Sequence, residues 1–251
     1  QDPFTCSWLG EQSISKQLAL WKTELVNDCD RDFLLDGIEN GFRITDKDSV
    51  VVPVESENHR SAHQYKDLVE AELMRQIEEG NYVVASTKPA IISPLAAIPK
   101  DDGSVRLIHD GSRPFGCAMN NYATMRPERF QTIDDACKLA KPNYWCAKLD
   151  LKAAYRSVPI HSDDYKVTGF KWRFAGDSQP TYLFDSRLPF GSTLAPSHFH
   201  RLSQAVARCM RRRGWKDVVV YIDDFLVIAP TYDLCNQALH CLINLVRRLG
   251  F

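Results

Sequence analysis

The chain has 251 residues, 44% of them hydrophobic and 25% charged, an ordinary globular composition with enough apolar side chains for one large core or two small ones. It contains no apolar run of the roughly 18 residues that a membrane span needs and no basic-then-apolar leader, so the expectation is a soluble intracellular protein without a membrane partner. The formal net charge of −1 is unevenly spread: residues 1–60 hold 6 Lys+Arg against 12 Asp+Glu, and residues 61–251 hold 25 against 20, which predicts an acidic extension ahead of a basic body.

Residues 1–27 carry weak signals and read as a flexible or partly helical lead-in. A short helix is expected from Asp30, with Phe33, Leu34 and Ile38 on one face and Gly41 past its end. Tyr65, Leu68, Val69, Leu73 and Ile77 recur at helical spacing and predict a helix from Gln64 to Glu79, stopped by Gly80. Ile91 to Lys100 reads as a strand, Asp101-Asp102-Gly103 as a turn, and Ser104 to Ile108 as the returning strand. That hairpin places Lys100 near Arg106, where the two cations could pair with Asp101 and Asp102 or grip a polyphosphate. Thr132-Ile133-Asp134-Asp135 has the form of a capping box opening a short helix.

Tyr144 to Leu149 predicts a strand ending at Asp150, a residue whose plain reading is a turn or N-cap position. Paired strands are expected over Gly169–Phe174 and Thr181–Phe184. Leu188-Pro189-Phe190-Gly191-Ser192 then leads into a helix from about Leu194 to Arg213. The Arg208–Arg213 cluster could follow a phosphate backbone or form a solvated helix end. Val218 to Ala229 is two β-branched and aromatic runs meeting at Asp223-Asp224 with no Gly, Asn or Pro between them, although hairpin turns usually carry one. Two like charges held that close repel, and a divalent cation would remove the conflict; a solvated Asp-Asp turn is the other reading, and the hairpin alone does not decide. From Thr231, the residues Leu234, Ala238, Leu242, Leu245 and Leu249 mark an amphipathic helix. The eight cysteines lack C-x-x-C spacing and read as reduced, packed thiols. His198 and His200, two apart, read as packing or surface residues rather than a metal pair.

The order of these pieces resembles the fingers and palm of reverse transcriptases: a Lys/Arg hairpin, strand-Asp-x-x-x-x-aromatic, Leu-Pro-Phe-Gly before a helix, and Tyr-x-Asp-Asp in a hairpin. The texture is most similar to retrotransposon enzymes of the DIRS or tyrosine-recombinase type, with the gypsy class close behind. Ile91 to Asp110, Lys148 to Ile160 and Leu188 to Phe199 carry that likeness, which covers roughly Ala62 to Phe251. The resemblance implies an α+β right-hand polymerase: a palm with an antiparallel sheet backed by helices, plus fingers. The domains expected are an acidic, partly helical extension over 1–60 and a fingers/palm domain over 61–251. The resemblance also carries the expectation that the thumb is missing, since the family continues past the position of Leu249-Gly250-Phe251.

By the same resemblance, Asp150, Asp223 and Asp224 form a metal-binding catalytic triad for two Mg²⁺ ions, with Mn²⁺ a substitute, and Asp224 the supporting ligand. Lys100 and Arg106 would hold the incoming triphosphate. Ala153 and Ala154 could offer backbone N–H groups to phosphate, and Tyr155 would close the sugar pocket against a ribose hydroxyl, although a core tyrosine is its plain reading. Phe190 and Gly191 would line the nucleotide and template side, with Tyr221 and Gly191 near the template and primer. Retroviral enzymes have Gln at the Phe190 position and gypsy-class enzymes commonly Phe. The implied activity is RNA-directed DNA synthesis from deoxynucleoside triphosphates on an RNA or DNA template with a primer, with the piece alone weakly active or inactive. The alternatives are a catalytically incomplete relic or domesticated nucleic-acid-binding protein, an RNA-dependent RNA polymerase sharing the palm, and an unrelated α+β protein with a solvated turn. Oligomeric state leaves no signal in the sequence.

Overall fold

The computed structural model describes residues 13–251; the first twelve residues of the acidic lead-in, Cys6 among them, lie outside the described residues. In chain order the elements are α1 (Leu18–Glu24), α2 (Arg31–Asn40), β1 (Val54–Glu55), α3 (Arg60–Gln64), α4 (Lys66–Glu78), β2 (Tyr82–Val84), β3 (Ile91–Ile92), β4 (Leu95–Pro99) and β5 (Val105–His109). They continue with α5 (Ile133–Leu139), β6 (Trp145–Asp150), β7 (Gly169–Trp172), β8 (Thr181–Asp185), α6 (Ala195–Arg212), β9 (Val218–Tyr221), β10 (Asp224–Ala229) and α7 (Tyr232–Arg248). Among the described residues no helix is long and apolar enough to cross a membrane.

Among the described residues three sheets divide the work. The palm sheet is antiparallel in the order β6-β10-β9, as the alternating apolar pattern requires. Phe225, Val227, Val218 and Val220 point to one face, are buried, and share a core with Phe199, Leu202 and Val206 of α6 and Leu242 and Leu245 of α7. Each such side chain contributes about 1.5–3 kcal/mol on burial. Successive strand residues alternate faces, so Lys148, Asp150, Tyr221, Asp224 and Leu226 share the opposite, open face. A five-stranded sheet in the order β1-β3-β7-β8-β2 and the two-stranded hairpin β4-β5 build the fingers, where Val69 and Leu73 of α4 pack with Phe170, Trp172 and Leu183.

One expected element is divided, and another is preceded by a helix the periodicity did not mark. The helix over Gln64–Glu79 is α4, and the short α3 ends at Gln64 just before it, the two separated at Tyr65, whose backbone (φ −106°, ψ 35°) leaves the helical region. The strand over Ile91–Lys100 splits at Ser93-Pro94: β3 joins the five-stranded sheet beside β7, and β4 pairs with β5. The remaining helices and hairpins form where the sequence periodicity places them. At the start of α5 the Asp135 carboxylate accepts the Thr132 N–H at 2.9 Å. The seven described cysteines are free.

The Arg208–Arg213 cluster lies at the end of α6 with Arg212 and Arg213 exposed, and Arg208, Arg212 and Arg213 are engaged by acids of the chain rather than left for a phosphate backbone. Arg208 grips Asp28 through two bonds of 2.8 Å, Arg212 reaches the same carboxylate at 3.3 Å, and Arg213 holds Glu24. Arg201, one face of α6 further back, holds Asp30 at 2.9 and 2.5 Å. Arg211 donates to the Val218 carbonyl at 3.0 Å. The acidic segment is therefore strapped across α6, and Ile14, Trp21, Leu25, Leu34 and Ile38 enter the palm core. Trp21 donates its indole N–H to the Leu249 carbonyl at 2.9 Å and meets the Phe251 ring edge-on. Local sequence could not show this, because the acids that neutralise the arginines lie about 180 residues upstream.

Candidate active site

The palm register sets Asp150 directly opposite Asp224, and Tyr221 pairs with Asp224 on the other side to close a two-residue turn of Ile222 and Asp223. Of those two, only Ile222 has positive φ (+53°), the pattern of a turn that ordinarily takes Gly at its first central position. A β-branched residue held there costs on the order of 1–3 kcal/mol. Its carbonyl accepts a short hydrogen bond from the Ser203 hydroxyl, which is buried on α6, and the Asp223 carbonyl accepts the Leu151 N–H at 3.3 Å. The turn is thus fastened from below by α6 and from the side by the end of β6. Gln131 braces the edge of β9, its side-chain oxygen accepting the Val220 N–H at 2.9 Å.

This arrangement brings three carboxylates together: one ligand atom from each of Asp150, Asp223 and Asp224 lies within 4.8 Å of the others. Burial pushes the Asp223 carboxyl above the usual carboxylate range, and the charges of Asp150 and Asp224 push it the same way. Lys148, two residues before Asp150 and so on the same face, contacts Asp224 at 3.0 Å. That hydrogen bond, with the neighbouring carboxylates, raises the Lys148 pKa above its ordinary value. Three hard oxygen donors with a single compensating cation fit a divalent metal of the Mg²⁺ or Mn²⁺ kind better than zinc.

Beside the carboxylates, Ala153 adopts the left-handed conformation (φ +52°) and opens the turn Ala154–Ser157, in which Ala154 is buried and Tyr155 half-buried. The Tyr155 ring stacks on Phe190 (centroids 5.1 Å apart, 26° between planes) and also meets Phe199 at 5.7 Å. Burial, and then the Asp223 charge, push the Tyr155 phenol above its normal range, as expected for a ring beside the acidic cluster. Gly191 has φ of +124°, and a Cβ there would lie 1.7 Å from the His109 carbonyl oxygen, so only glycine fits. The loop is tied to the fingers by His109 N–H to the Phe190 carbonyl (3.0 Å) and by Asn120, which donates to the Gly191 carbonyl (2.8 Å) and accepts the Thr193 N–H (2.9 Å). Tyr221 is exposed and meets Phe130 edge-on at 5.9 Å. An open cleft of about 660 Å³ runs between the start of α5 and the open palm face, with Gln131, Lys148, Tyr221 and Asp224 in its lining.

Lys100 and Arg106 stand apart from this cluster, on the fingers hairpin. Both are exposed, and among the described residues neither forms an ion pair; Asp102 is occupied by Ser104, through its N–H (2.9 Å) and hydroxyl (2.5 Å). Sequence reasoning missed Lys148, Ser203, Asn120, Gln131 and the buried Arg156–Asp185 pair. The two-residue strand period could have found Lys148. Nothing local marks the other four, whose partners are 19 to 89 residues away.

The family model for reverse transcriptase (RNA-dependent DNA polymerase) matches residues 98–251. Among curated proteins, the Gag-Pol polyprotein of Gibbon ape leukemia virus is 30% identical over 112 residues, 44% of this chain and 7% of the relative. The retrovirus-related Pol polyprotein from transposon 412 of Drosophila melanogaster is 25% identical over 205 residues, 79% of this chain and 15% of the relative. The chain thus spans only a small part of the curated relatives it matches. Among solved structures, the prototype foamy virus protease-reverse transcriptase superposes with a TM-score of 0.65 at 19% identity, covering 83% of this chain and 26% of that one. The foamy viral protease-reverse transcriptase in complex with dsDNA gives 0.66 at 16% identity, covering 93% and 50%. At these identities the likeness shows the fold, a polymerase palm and fingers.

Proposed function

The chain belongs to the reverse transcriptase family, and on that premise we propose that it is the fingers and palm of an RNA-directed DNA polymerase that adds deoxynucleotides to a primer 3′-hydroxyl on an RNA or DNA template. The observation that carries the proposal is the convergence of Asp150, Asp223 and Asp224 from two strands onto one patch of the open palm face. Asp150 and Asp223 would be the principal ligands of Mg²⁺, with Mn²⁺ a substitute, and Asp224, already engaged by Lys148, the supporting one. Two such ions, when bound, supply activation of the primer hydroxyl and neutralisation of the triphosphate and departing pyrophosphate.

The chain's own residues orient and select. Lys100 and Arg106, exposed on the fingers hairpin and without an ion pair among the described residues, suit the triphosphate. The turn at Ala153 and Ala154 offers backbone N–H groups to phosphate, and the Tyr155 ring, braced by Phe190, favours a sugar without a 2′-hydroxyl. Gly191 and Tyr221 border the path proposed for template and primer. The retrotransposon subtype, DIRS-like or gypsy-like, rests on the quoted motifs and on Phe190; the extension proposed over 1–60 and the fingers/palm domain proposed over 61–251 pack together, β1 joining the fingers sheet and Trp21 the palm core.

The test is primer extension by the enzyme containing this chain, together with Mn²⁺ titration followed by water-proton relaxation. Asp223→Asn is expected to lower incorporation by about 10³-fold or more and to weaken the saturable Mn²⁺ site. Unchanged incorporation by that variant would overturn the metal assignment.

A further inference from the structure

The nucleotide side of the site is held by a charged pair that lies beneath it. Arg156, only 8% exposed, follows Tyr155 directly, and its guanidinium forms two parallel bonds of 2.9 Å with the carboxylate of Asp185, which is 2% exposed. The same guanidinium gives a short hydrogen bond to the Leu188 carbonyl, two residues before Phe190, and lies 5.7 Å from the centre of the Phe190 ring. Asp185 in turn accepts the Arg187 N–H at 2.9 Å. One planar fork therefore joins the turn that carries Tyr155 to the loop that carries Phe190, and those two rings are stacked on each other.

Stability is a poor explanation for the pair. Taking two charges out of water seldom yields net folding energy over an apolar pair of the same volume. Here the Arg156 Nε is buried without a partner, which adds a further desolvated donor. What a bidentate pair does supply is geometry: five N–H groups in a rigid plane allow one separation and one orientation between the segments they join.

We propose that Arg156 and Asp185 are positioning residues that set the distance between the Tyr155 and Phe190 rings and thereby set deoxynucleotide affinity and discrimination against ribonucleotides. The inference rests on the proposed polymerase function. Neither residue touches the nucleotide in this scheme; both act through the rings.

The experiment is steady-state incorporation of dATP and ATP opposite a template T by the enzyme containing this chain. Arg156→Lys keeps the charge but loses the fork, and is expected to raise the dATP KM about tenfold, leave kcat within about twofold, and cut the preference for dATP over ATP about tenfold. Asp185→Glu, which preserves a carboxylate on a longer arm, is expected to show a smaller change in the same direction. Should Arg156→Lys fail to fold, the apolar pair Arg156→Met with Asp185→Leu carries the test, with melting near the parent value and the same KM shift expected. Unchanged KM and sugar preference in a folded variant would overturn the proposal, as would a loss confined to kcat. The parent and Asp223→Asn in the same preparation separate the two levels: if the parent incorporates no nucleotide the polymerase reading fails, and if Asp223→Asn incorporates as the parent does the metal assignment fails. If Asp223→Asn is inactive while Arg156→Lys behaves as the parent, only the positioning role fails.

Discussion

Asp223 is a residue whose charge works against the fold that holds it. Because burial and two neighbouring carboxylates raise its pKa, the folded chain binds its proton more tightly than the unfolded chain does. The resulting stability is fully present below the ordinary carboxylate value of 3.8 and is lost as pH rises through the raised one. Asp223→Asn is therefore expected to melt higher than the parent at pH 7 without metal, the difference shrinking toward pH 4 and on saturation with Mg²⁺; scanning calorimetry across that range checks it. Ser203→Ala acts in the opposite sense, leaving the Ile222 carbonyl of a strained turn without its hydroxyl partner. A loss of about 1–3 kcal/mol, read by urea unfolding, is expected, together with weaker Mn²⁺ binding. The acidic residues were legible in the sequence because the Asp-Asp hairpin, undecided alone, follows the Lys100/Arg106 hairpin and the strand ending at Asp150 in the order of the family. Ser203 was not, since its hydroxyl sits in an amphipathic helix with no local mark of its partner 19 residues on.

Among the elements, the loop from Leu188 to Ser192 shows how far motif reading carries. Its position ahead of α6 was legible, and Pro189 and Gly191 marked it as a break between strand and helix. That its Gly is pressed against the carbonyl of His109, at the end of a fingers strand, depends on a contact 82 residues apart and was not. The loop is thus the joint between the fingers hairpin and the palm. Gly191→Ala would force a Cβ into that carbonyl at positive φ, so the joint must open. A loss on the order of 3 kcal/mol is expected, with the Tyr155 ring freed from Phe190, measurable by chemical denaturation and by a raised KM for deoxynucleotide in primer extension. Pro94 teaches the complementary lesson. The apolar run continues through it, while the backbone turns, because drawing β3 to β7 and pairing β4 with β5 outweigh one longer strand.

At the scale of the whole molecule, the charge asymmetry of the sequence proves to be a fastening. The acidic residues Glu24, Asp28 and Asp30 sit on arginines of α6, so the acidic extension and the basic body neutralise each other where they touch. Burial opposes ionisation of Asp28, but hydrogen bonds from Arg208 and the Asp30 N–H outweigh it and hold the carboxyl below its ordinary range. Its contribution is present above the unfolded value near 3.8 and is lost as pH falls through the depressed one, so acid should release the strap. Asp28→Asn removes the buried partner of two part-exposed arginines, and a loss on the order of 1–2 kcal/mol is expected, with Trp21 fluorescence shifting to the red as the segment detaches. The asymmetry itself was plain in the composition; its meaning depended on which helix the acids would meet. That meeting also has a consequence in time. Trp21 and its carbonyl partner at Leu249 are separated by 228 residues, so during synthesis at about 5–20 residues per second the apolar faces around Ile14, Trp21 and Leu25 wait roughly 10–45 s for their counterpart to be made. Whatever shields those faces on the ribosome decides how much of the newborn chain reaches the native state.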